Sequence, residues 1–497
     1  MAEDFVIGLD SSTTSVKAIA FDRRGNVVAR AGEPLPLFSP QPNYYEQNPD
    51  DWWTAARTAL RRVTARLDPT KIRALAVSNQ RETFVALDRS GAPLRPAIVW
   101  LDERCKGEVE GFARRIGRRE IHRITGKPVD YAPVVYRLAW MKKKEPKLFR
   151  RIGTICDVQS YLVRKLTGEF KTSWSSADPF GLFDLKKKRW SPAILNALDL
   201  NENQLPQTFR TGTVLGTLTG EAARLTGLTA ETIVAAGGGD GQCAGLGSNI
   251  LAPERAYLNL GTAVVAGIYG ENYRVSEVFR TMASCSDGGY YFECSLRAGT
   301  FAVDWFVKNV LKIDPLENPS IYRELEAEAG PVGPGSGGLF HLPYLCGVMN
   351  PYWDGDAAGA FVGLTAAHRR GHLYRAILEG IAFEQLFAVD AVEKVNRRRV
   401  AEFAVIGGGA TSDLWLQILA DVTNKKINIP ENTEASSLGA AIAAGVGAGW
   451  FTDFREAAGQ MCRVGRVVEP DPASHRQYRK AFSIYKKIYP ALKTVGI

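Results

Sequence analysis

Four short polar or glycine-rich segments of this chain could bind phosphate groups or hold a reactive carboxylate. They are Asp10–Thr14, Gly237–Gly241, Gly261–Thr262 and Gly407–Ala410, and two of them contain an aspartate. Backbone N–H groups in such turns form concave anion-binding sites, to which Ser and Thr hydroxyls add donors. A single segment of this kind is more often only a tight turn, but four in one chain favour a site for a phosphorylated ligand.

The first segment lies in FVIGLDSSTTSVKAIAFD, residues 5–22, and does not have the G-x-x-x-x-G-K-[ST] spacing of a P-loop. Val16, Ile19 and Phe21 continue an apolar strand after the turn, whereas a P-loop or a Rossmann turn runs from a strand into a helix. With VVARAGEPL as a third strand, the chain is predicted to open with a β-meander.

The same plan recurs in RAYLNLGTAVVAGIYG, which reads as strand, small-residue turn and strand. We expect each copy to begin one domain, giving domains at 1–248 and 249–497. Helices are predicted at about 49–67 and 370–395, and FAVIGGGATSDLWLQILADV predicts a strand, a glycine turn and a helix. SSLGAAIAAGVGAG is typical of a small-residue helix that packs closely.

Length and composition exclude several classes of protein. A chain of 497 residues needs two or more domains, and it contains no run of 18 apolar residues and no signal-peptide pattern at its start. Seven scattered cysteines predict reduced thiols and a cytoplasmic location. The net charge is +9, but the basic runs are short and not interleaved with aromatic residues, so no nucleic acid partner is expected. His368 and His372 lack the H-E-x-x-H pattern of a zinc site.

Taken in order, the motifs resemble those of the FGGY carbohydrate kinase family, within the actin/Hsp70/hexokinase superfamily of ATPases. GLDSSTTSVKAIAFD resembles the first phosphate motif of that family, NLGTAVVAG the second and VIGGGATSDLWLQILAD the adenosine motif. GAFVGLTAAHRRGHLYRAILEG fits the C-terminal signature of the family at every defined position. The resemblance implies an α/β fold of two ribonuclease H-like (actin-like ATPase) domains, each with a mixed five-stranded sheet flanked by helices, and a cleft between them.

The resemblance also implies an activity, ATP-dependent phosphorylation of a hydroxyl on a small sugar or polyol, with ATP and Mg²⁺ as cofactors. Asp240 matches the catalytic base, and Asp10 and Asp240 the positions at the metal. The N-terminal domain would supply acceptor contacts and the first phosphate loop, and the C-terminal domain the second loop and the adenosine site. The implied acceptor contacts are Gln80, Arg81, Glu82, Trp100, Asp240 and Gln242, and the implied ATP contacts are Thr13, Thr14, Lys17, Gly261, Thr262, Gly408, Gly409 and Asp413.

These residue types suit phosphoryl transfer, which needs in-line positioning, a metal shared by the phosphates and a base near the attacking hydroxyl. Asp240 can accept the proton, and Arg81 and Glu82 can hydrogen-bond neighbouring hydroxyls of the acceptor. Trp100 can pack on its carbon skeleton. The expected partners are ATP and the sugar, without nucleic acid or membrane, and a homodimer is left open.

Three positions depart from the family pattern. Ser12 stands where glycine is usual, so we expect negative φ there, because positive φ would be costly for serine. Arg137 stands where lysine is usual. The tyrosine that contacts the acceptor in glycerol kinases falls on Ala132, which leaves open whether Tyr131 replaces it.

The substrate signals are mixed. SNQRET and NPYWD resemble glycerol kinases, whereas WLDER, with Asp102 and Arg104, and LFHLPYLCG resemble kinases of pentuloses and other sugars. Gly241 after the base is expected to leave more room for the acceptor than the Gln of glycerol kinases or the Asn of many xylulokinases. We therefore favour a ketopentose such as xylulose, with glycerol or another small polyol as the alternative.

Two other classes of protein are alternatives. A non-kinase actin-like ATPase would lack the acceptor positions and the FGGY signature, and no additional peptide-binding domain is evident after the second half. A Rossmann oxidoreductase using GGGATS would need G-x-G-x-x-G and an acidic residue about 20 positions further on, and neither is present.

Overall fold

The computed structural model describes residues 4–496. The strands, numbered in chain order, are β1 (Phe5–Ser11), β2 (Ser15–Phe21), β3 (Val27–Pro34), β4 (Glu46–Gln47), β5 (Ile72–Asn79), β6 (Phe84–Leu87), β7 (Ala97–Ile98), β8 (Thr154–Asp157), β9 (Lys171–Ser173), β10 (Phe183–Asp184), β11 (Arg189–Trp190), β12 (Gln207–Phe209), β13 (Val214–Thr217), β14 (Ile233–Gly239), β15 (Arg255–Leu260), β16 (Val264–Gly270), β17 (Arg280–Ala283), β18 (Tyr290–Leu296), β19 (Phe340–Leu342), β20 (Ala360–Val362), β21 (Glu402–Ile406), β22 (Lys426–Pro430) and β23 (Val464–Val468).

The α-helices, numbered in the same way, are α1 (Pro49–Thr64), α2 (Lys106–Ile116), α3 (Arg118–Thr125), α4 (Val134–Lys144), α5 (Pro146–Phe149), α6 (Val158–Thr167), α7 (Trp174–Ala177), α8 (Pro192–Leu198), α9 (Gly220–Thr226), α10 (Asp240–Gly247), α11 (Thr300–Trp305), α12 (Ile321–Ala329), α13 (Arg370–Asn396), α14 (Asp413–Thr423), α15 (Ala435–Gly447), α16 (Phe454–Met461) and α17 (Pro472–Lys493). In the described part of the chain, no helix is both long and apolar enough to cross a bilayer.

The two large sheets share one strand plan. In the first, the antiparallel meander β1–β2–β3 is followed on the other side of β1 by the parallel strands β5 and β14. In the second, the meander β15–β16–β18 is followed by the parallel strands β21 and β22. The internal repeat therefore corresponds to a duplicated five-strand plan, as expected.

The sheets are nevertheless wider than the predicted five strands, with six in the first and seven in the second. The additional strands are antiparallel and lie at the edges: β13 beside β14, β17 beside β18 and β23 beside β22. These three strands have four or five residues each and leave the five-strand plan unchanged. One of them, β17, contributes a residue to the candidate site.

The segment Gly237–Gly241 differs from the turn expected of it. Gly237 and Gly239 are still part of strand β14, and Asp240 is the first residue of helix α10. A Cβ atom at Gly237 would lie 2.0 Å from the carbonyl oxygen of Val77 on β5. The glycine here allows two strands to pack closely, and Asp240 is positioned by a strand-to-helix junction.

Helix α15 joins the two halves at the base of the cleft. It comes from the second half of the chain, yet its apolar residues share a core with strands of the first sheet. It crosses α10 at very short range, since a Cβ at Gly439 would lie 1.9 Å from the carbonyl oxygen of Cys243 and one at Gly247 2.1 Å from that of Ala435. Small residues therefore fix α10, and with it Asp240, against the second half.

Candidate active site

Asp240 lies at the floor of the cleft with one carboxylate oxygen engaged. Its Oδ1 accepts a hydrogen bond from the backbone N–H of Gly241 at 2.7 Å and lies 3.3 Å from Nε of Arg81. Among residues 4–496, no donor reaches Oδ2. Burial raises the pKa of Asp240, and the guanidinium of Arg81 partly opposes that shift. The carboxylate is thus held in place while one oxygen remains able to accept a proton.

Asp10, at the end of strand β1, is the second carboxylate of the cleft floor. Its Oδ1 accepts a hydrogen bond from the hydroxyl of Ser78 at 2.6 Å. Burial raises the pKa of Asp10 to about 7, and repulsion from the carboxylates of Asp240 and Glu434 adds to the increase, while Ser78 and Lys17 oppose it. Two carboxylates that repel one another at neutral pH form a donor pair that a cation would stabilise.

We predict that the ionisation of Asp10 destabilises the ligand-free protein as the pH rises. The pKa of the Asp10 carboxyl is near 4 in the unfolded chain and about 7 in the fold, so the protonated carboxyl stabilises the fold fully below about pH 4. This stabilisation is lost as the pH rises through the folded-state pKa of about 7. The melting temperature of Asp10→Asn minus that of the wild type should therefore increase between about pH 5 and 8, without nucleotide or metal.

The surface variant Asp68→Asn, whose carboxylate caps an exposed turn, serves as the control and should show no such trend. Melting curves of Asp10→Asn and wild type that stay parallel across this pH range would contradict the prediction.

A buried charge network holds the two acceptor candidates Arg81 and Glu82 from the opposite half of the molecule. Nη1 of Arg81 donates to Oε2 of Glu293 at 2.7 Å, and Nη1 of Arg280 donates to Oε1 of Glu82 at 3.1 Å. Nε of Arg280 donates to Oε1 of Glu293 at 2.6 Å, which closes the network, and the hydroxyl of Tyr257 donates to Oε2 of Glu293 at 3.0 Å. The acceptor side of the cleft is therefore built from both sheets.

Glu293 is the centre of this network. Its side chain has no exposed surface, and burial alone would raise its pKa. The guanidiniums of Arg280 and Arg81 outweigh that effect and lower the pKa of Glu293 to about 2. With this pKa Glu293 is ionised at neutral pH, so both arginines keep a fixed counter-charge.

Glu82 adopts a strained backbone conformation, with φ of 51°, which is uncommon for a residue other than glycine. Its carbonyl oxygen accepts a hydrogen bond at 2.6 Å from Nη2 of Arg137, whose side chain is fully buried. The same guanidinium donates to the carbonyl oxygens of Ala132 and Asp102 at 2.6 and 3.2 Å. A lysine, with one ammonium group, could not bridge these separated loops as a planar guanidinium does, which accounts for arginine at position 137.

Gln80 and Gln242 are buried behind the cleft surface. Nε2 of Gln80 donates to Oε1 of Gln47 at 2.8 Å, and Nε2 of Gln242 donates to the carbonyl oxygen of Ser175 at 3.0 Å. Oε1 of Gln242 lies 3.5 Å from Nη1 of Arg81, so this side chain supports the arginine. Direct contact of either glutamine with an acceptor stays a prediction.

Gly241 makes room for a protein side chain. A Cβ at this position would lie 3.1 Å from Cζ of Arg81, so the space expected for the acceptor is occupied by the guanidinium. A side chain at 241 would require this guanidinium to shift by a few tenths of an ångström.

Trp100 lies beside the first turn and is 43% exposed. Its indole N–H donates to Oγ1 of Thr13 at 2.8 Å, which brings an acceptor candidate and a phosphate candidate together. The loop that carries Trp100 is anchored by Asp102, whose carboxylate pairs with Arg104 at 2.7 Å and accepts the backbone N–H of Tyr45 at 2.7 Å. The WLDER motif thus positions Trp100 through buried side chains.

Of the remaining residues of the first phosphate motif, Ser12 and Thr14 lie between β1 and β2, and Lys17 lies in β2. Ser12 does not adopt positive φ, as predicted, and its hydroxyl donates to the carbonyl oxygen of Ser15 at 2.9 Å. Thr14 is exposed. Nζ of Lys17 lies 2.9 Å from both carboxylate oxygens of Glu434, so contact with a phosphate would require this ion pair to open.

The second turn and the glycine turn lie in the other half. Gly261 and Thr262 connect β15 to β16, and their carbonyl oxygens accept backbone N–H groups of Thr300 and Gly299 at 2.9 and 2.8 Å. Gly408 and Gly409 begin a short 3₁₀ turn that leads into α14. Asp413, the first residue of α14, is exposed, and its Oδ1 accepts from Nη1 of Arg466 at 2.6 Å.

Tyr131 is hydrogen-bonded to a carboxylate: its hydroxyl donates to Oε1 of Glu103 at 3.2 Å. Burial raises its pKa to about 12. A role in acceptor binding would require this hydroxyl to leave Glu103.

Family models match almost the whole chain. Residues 5–247 match the N-terminal domain of the FGGY family of carbohydrate kinases, and residues 256–448 match its C-terminal domain. The chain belongs to the FGGY family of carbohydrate kinases.

Relatives of this FGGY kinase act on different acceptors, judged by their names. The chain is 30% identical to a xylulose kinase of Bacillus subtilis (strain 168), over 99% of the chain and 98% of the relative. It is 32% identical to a glycerol kinase of Thermococcus kodakarensis, over 94% and 93%. A crystal structure of a gluconate kinase from Lactobacillus acidophilus superposes with a TM-score of 0.93 at 26% identity, covering 99% and 98%. The fold is therefore that of two-domain FGGY kinases, and the acceptor must be argued from the site.

Three residues that matter to the geometry of this FGGY kinase were missed by sequence reasoning: Glu293, Arg280 and Glu434. Glu293 could have been found, because a carboxylate inside the apolar strand YYFECSL needs a cationic partner. Arg280 lies directly opposite Glu293 in the β17–β18 register, but β17 was not expected as a strand. Nothing in the sequence around Glu434 indicates that it pairs with Lys17.

Proposed function

We propose that this sugar kinase transfers the terminal phosphoryl group of ATP to a hydroxyl of a neutral ketopentose such as xylulose, in the cytoplasm. The observation that carries this proposal is the position of Asp240, which has one carboxylate oxygen without a donor and lies beside the buried network around Arg81 and Glu82. The proton of the attacking hydroxyl passes to that oxygen as the new bond to phosphorus forms.

On the acceptor side, Arg81 and Glu82 orient the hydroxyls of the sugar, one as donor and the other as acceptor. Trp100 packs its exposed ring against the carbon skeleton, while Gln80 and Gln242 fix the acceptor loop from behind. Because Arg81 also contacts Asp240, the group that binds the sugar and the group that activates it are held in one geometry.

On the nucleotide side, the two turns face the phosphates from opposite halves. Thr13 and Thr14 come from the first turn and Lys17 from the strand β2 that follows it, and Gly261 and Thr262 come from the second turn. Gly408, Gly409 and Asp413 lie at the adenosine end. Kinases of this family use ATP, and the exposed Thr14 and the half-exposed Lys17 are accessible from solvent in this structure.

Asp10 and Asp240 fit a Mg²⁺ ion. Mg²⁺ is usually held by one or two carboxylates together with substrate phosphates and water. Within residues 4–496 no cluster of three or more metal-ligating side chains occurs, so the chain itself supplies no closed cage. When bound, the ion would neutralise charge on the phosphates and relieve the repulsion between these two carboxylates.

The charge of the acceptor site favours a neutral acceptor. Arg81 and Arg280 are both paired within the network, against the three carboxylates of Glu82, Glu293 and Asp240. An aldonate such as gluconate would bring a further carboxylate toward a site that already carries excess negative charge. Glycerol is the second candidate, favoured by the 32% identity to a glycerol kinase and by the SNQRET segment.

An ADP-release assay over xylulose, ribulose, glycerol and gluconate tests the proposal. We expect the highest kcat/KM with xylulose and a value for gluconate about 100-fold lower, because juxtaposed like charges cost several kcal/mol. Preference for glycerol would establish the second candidate, and preference for gluconate would overturn the neutral acceptor. ATP turnover that no acceptor stimulates would point to a non-kinase ATPase. The homodimer stays a prediction, which sedimentation of the purified chain would test.

A further inference from the structure

A cavity of about 630 Å³ opens in the second half of the molecule, away from every candidate residue of the kinase site. It lies between the C-terminal ends of α13 and α14 and the beginning of α17. Leu386 and Val400 give it an apolar part, and the rest of its lining is polar or charged. Its volume is in the range of sites for small molecules, roughly 300–1,000 Å³.

The cavity has a strong excess of positive charge. Six cationic side chains line it, against the two carboxylates of Asp390 and Glu393. Both carboxylates are engaged: Glu393 lies 2.6 Å from Nζ of Lys425, and Asp390 lies 3.9 Å from Nη1 of Arg479. The charge that remains is therefore carried by the other four cations.

Those four cations are Lys394, Arg397, Arg398 and Arg399, and all are exposed. In the part of the chain that the structure describes, no carboxylate oxygen lies within 4.0 Å of any of them. Arg397 directly follows helix α13 and has φ of 57°, and the next two arginines also line the cavity. Three consecutive guanidiniums beside one cavity repel one another unless an anion lies among them.

The simplest alternative is that these cations compensate the dipole at the C-terminus of α13. That dipole corresponds to only about half a charge, which a single cation satisfies. The excess of four cations, all on one concave surface, is not explained by the helix end.

We propose that this cavity is a binding site for a small polyanion that carries a phosphate group, either inorganic or as a phosphate ester. Guanidinium groups match phosphate oxygens with paired hydrogen bonds, and neighbouring arginines suit a group with two or more negative charges. The ring of His475 lies in the same lining, held by a hydrogen bond of 2.8 Å between its Nδ1 and the carbonyl oxygen of Asp421. The site is distinct from the proposed kinase site, and its ligand could act without occupying that site.

Protection of the arginines against phenylglyoxal, read peptide by peptide by mass spectrometry, tests this site in the full-length protein. The probes are inorganic phosphate, pyrophosphate and ribose 5-phosphate, compared with sodium chloride at the same ionic strength. At about four times the dissociation constant, one-fifth of the sites remain empty, so modification of Arg397–Arg399 should slow about fivefold. The exposed Arg114 and Arg115 on α2 serve as internal controls and should react at an unchanged rate.

The three probes separate the possible ligands: protection by phosphate and pyrophosphate alone indicates an inorganic anion, and stronger protection by ribose 5-phosphate indicates an ester. The double variant Arg398→Gln/Arg399→Gln should lose the protection of Arg397 while keeping sugar-dependent ADP release, which shows that it is folded. Protection equalled by chloride, or shared by Arg114 and Arg115, would overturn the proposal, as would full protection of Arg397 in the double variant.

Discussion

Replacing Asp240 with asparagine should lower kcat for sugar phosphorylation by about 10²–10⁴-fold, the usual contribution of a positioned general base. The amide oxygen of asparagine can still accept the hydrogen bond from Gly241, so the junction between β14 and α10 should keep its shape. The variant loses the proton acceptor, because an amide nitrogen replaces the carboxylate oxygen that no donor reaches. An amide does not accept a proton at neutral pH. The measurement is the initial rate of ADP release at saturating sugar and ATP.

Nucleotide affinity separates this effect from general damage. Without Mg²⁺, Asp240→Asn should bind an ATP analogue with nearly unchanged affinity, since the residues proposed to contact ATP itself come from other segments. The control is Asp287→Asn, which removes another carboxylate paired with an arginine, Arg210, outside the cleft floor, and it should keep full activity. A kcat within a few-fold of the wild type in Asp240→Asn would remove Asp240 from the role of base.

The framework of the molecule followed from local sequence pattern. The apolar runs on either side of Asp10–Thr14 and of Gly261–Thr262 predicted strand–turn–strand units, and both occur, at β1–β2 and β15–β16. Such units can be predicted from sequence because each strand is a run of buried apolar residues and each turn consists of small or polar residues. The predicted backbone at Ser12 was correct for a similar local reason, since a side chain at positive φ is strained.

The geometry of the acceptor site was harder to predict from sequence, because it depends on pairs of charged residues that are far apart in the chain. Arg81 and Glu293 are separated by 212 positions, and Lys17 and Glu434 by 417. Gly241 shows the consequence: a small residue was expected to leave room for the sugar, whereas the guanidinium of Arg81 fills that room. Motif resemblance located the residues, but only the fold shows which side chains are already engaged by others.

Replacing Glu293 with glutamine should raise the KM for the sugar by at least about tenfold and leave the KM for ATP unchanged. The side chain is fully buried and neutralises both Arg81 and Arg280, and removal of one partner of a buried ion pair typically costs about 3–5 kcal/mol. Glutamine has one acceptor oxygen and no charge, so the two guanidiniums would repel and Arg81 would move away from Asp240. Glu293 does not touch the reacting atoms in this proposal and acts as a positioning residue.

A merely structural role for Glu293 would lower the melting temperature and leave the KM for the sugar in the folded enzyme as it was. The matched control is Glu402→Gln, which removes a carboxylate paired with Arg255 at 2.5 Å in the same sheet but away from the cleft. It should lose some stability and keep the KM for the sugar. If Glu293→Gln and Glu402→Gln behave alike in both measurements, the position of Arg81 does not depend on Glu293.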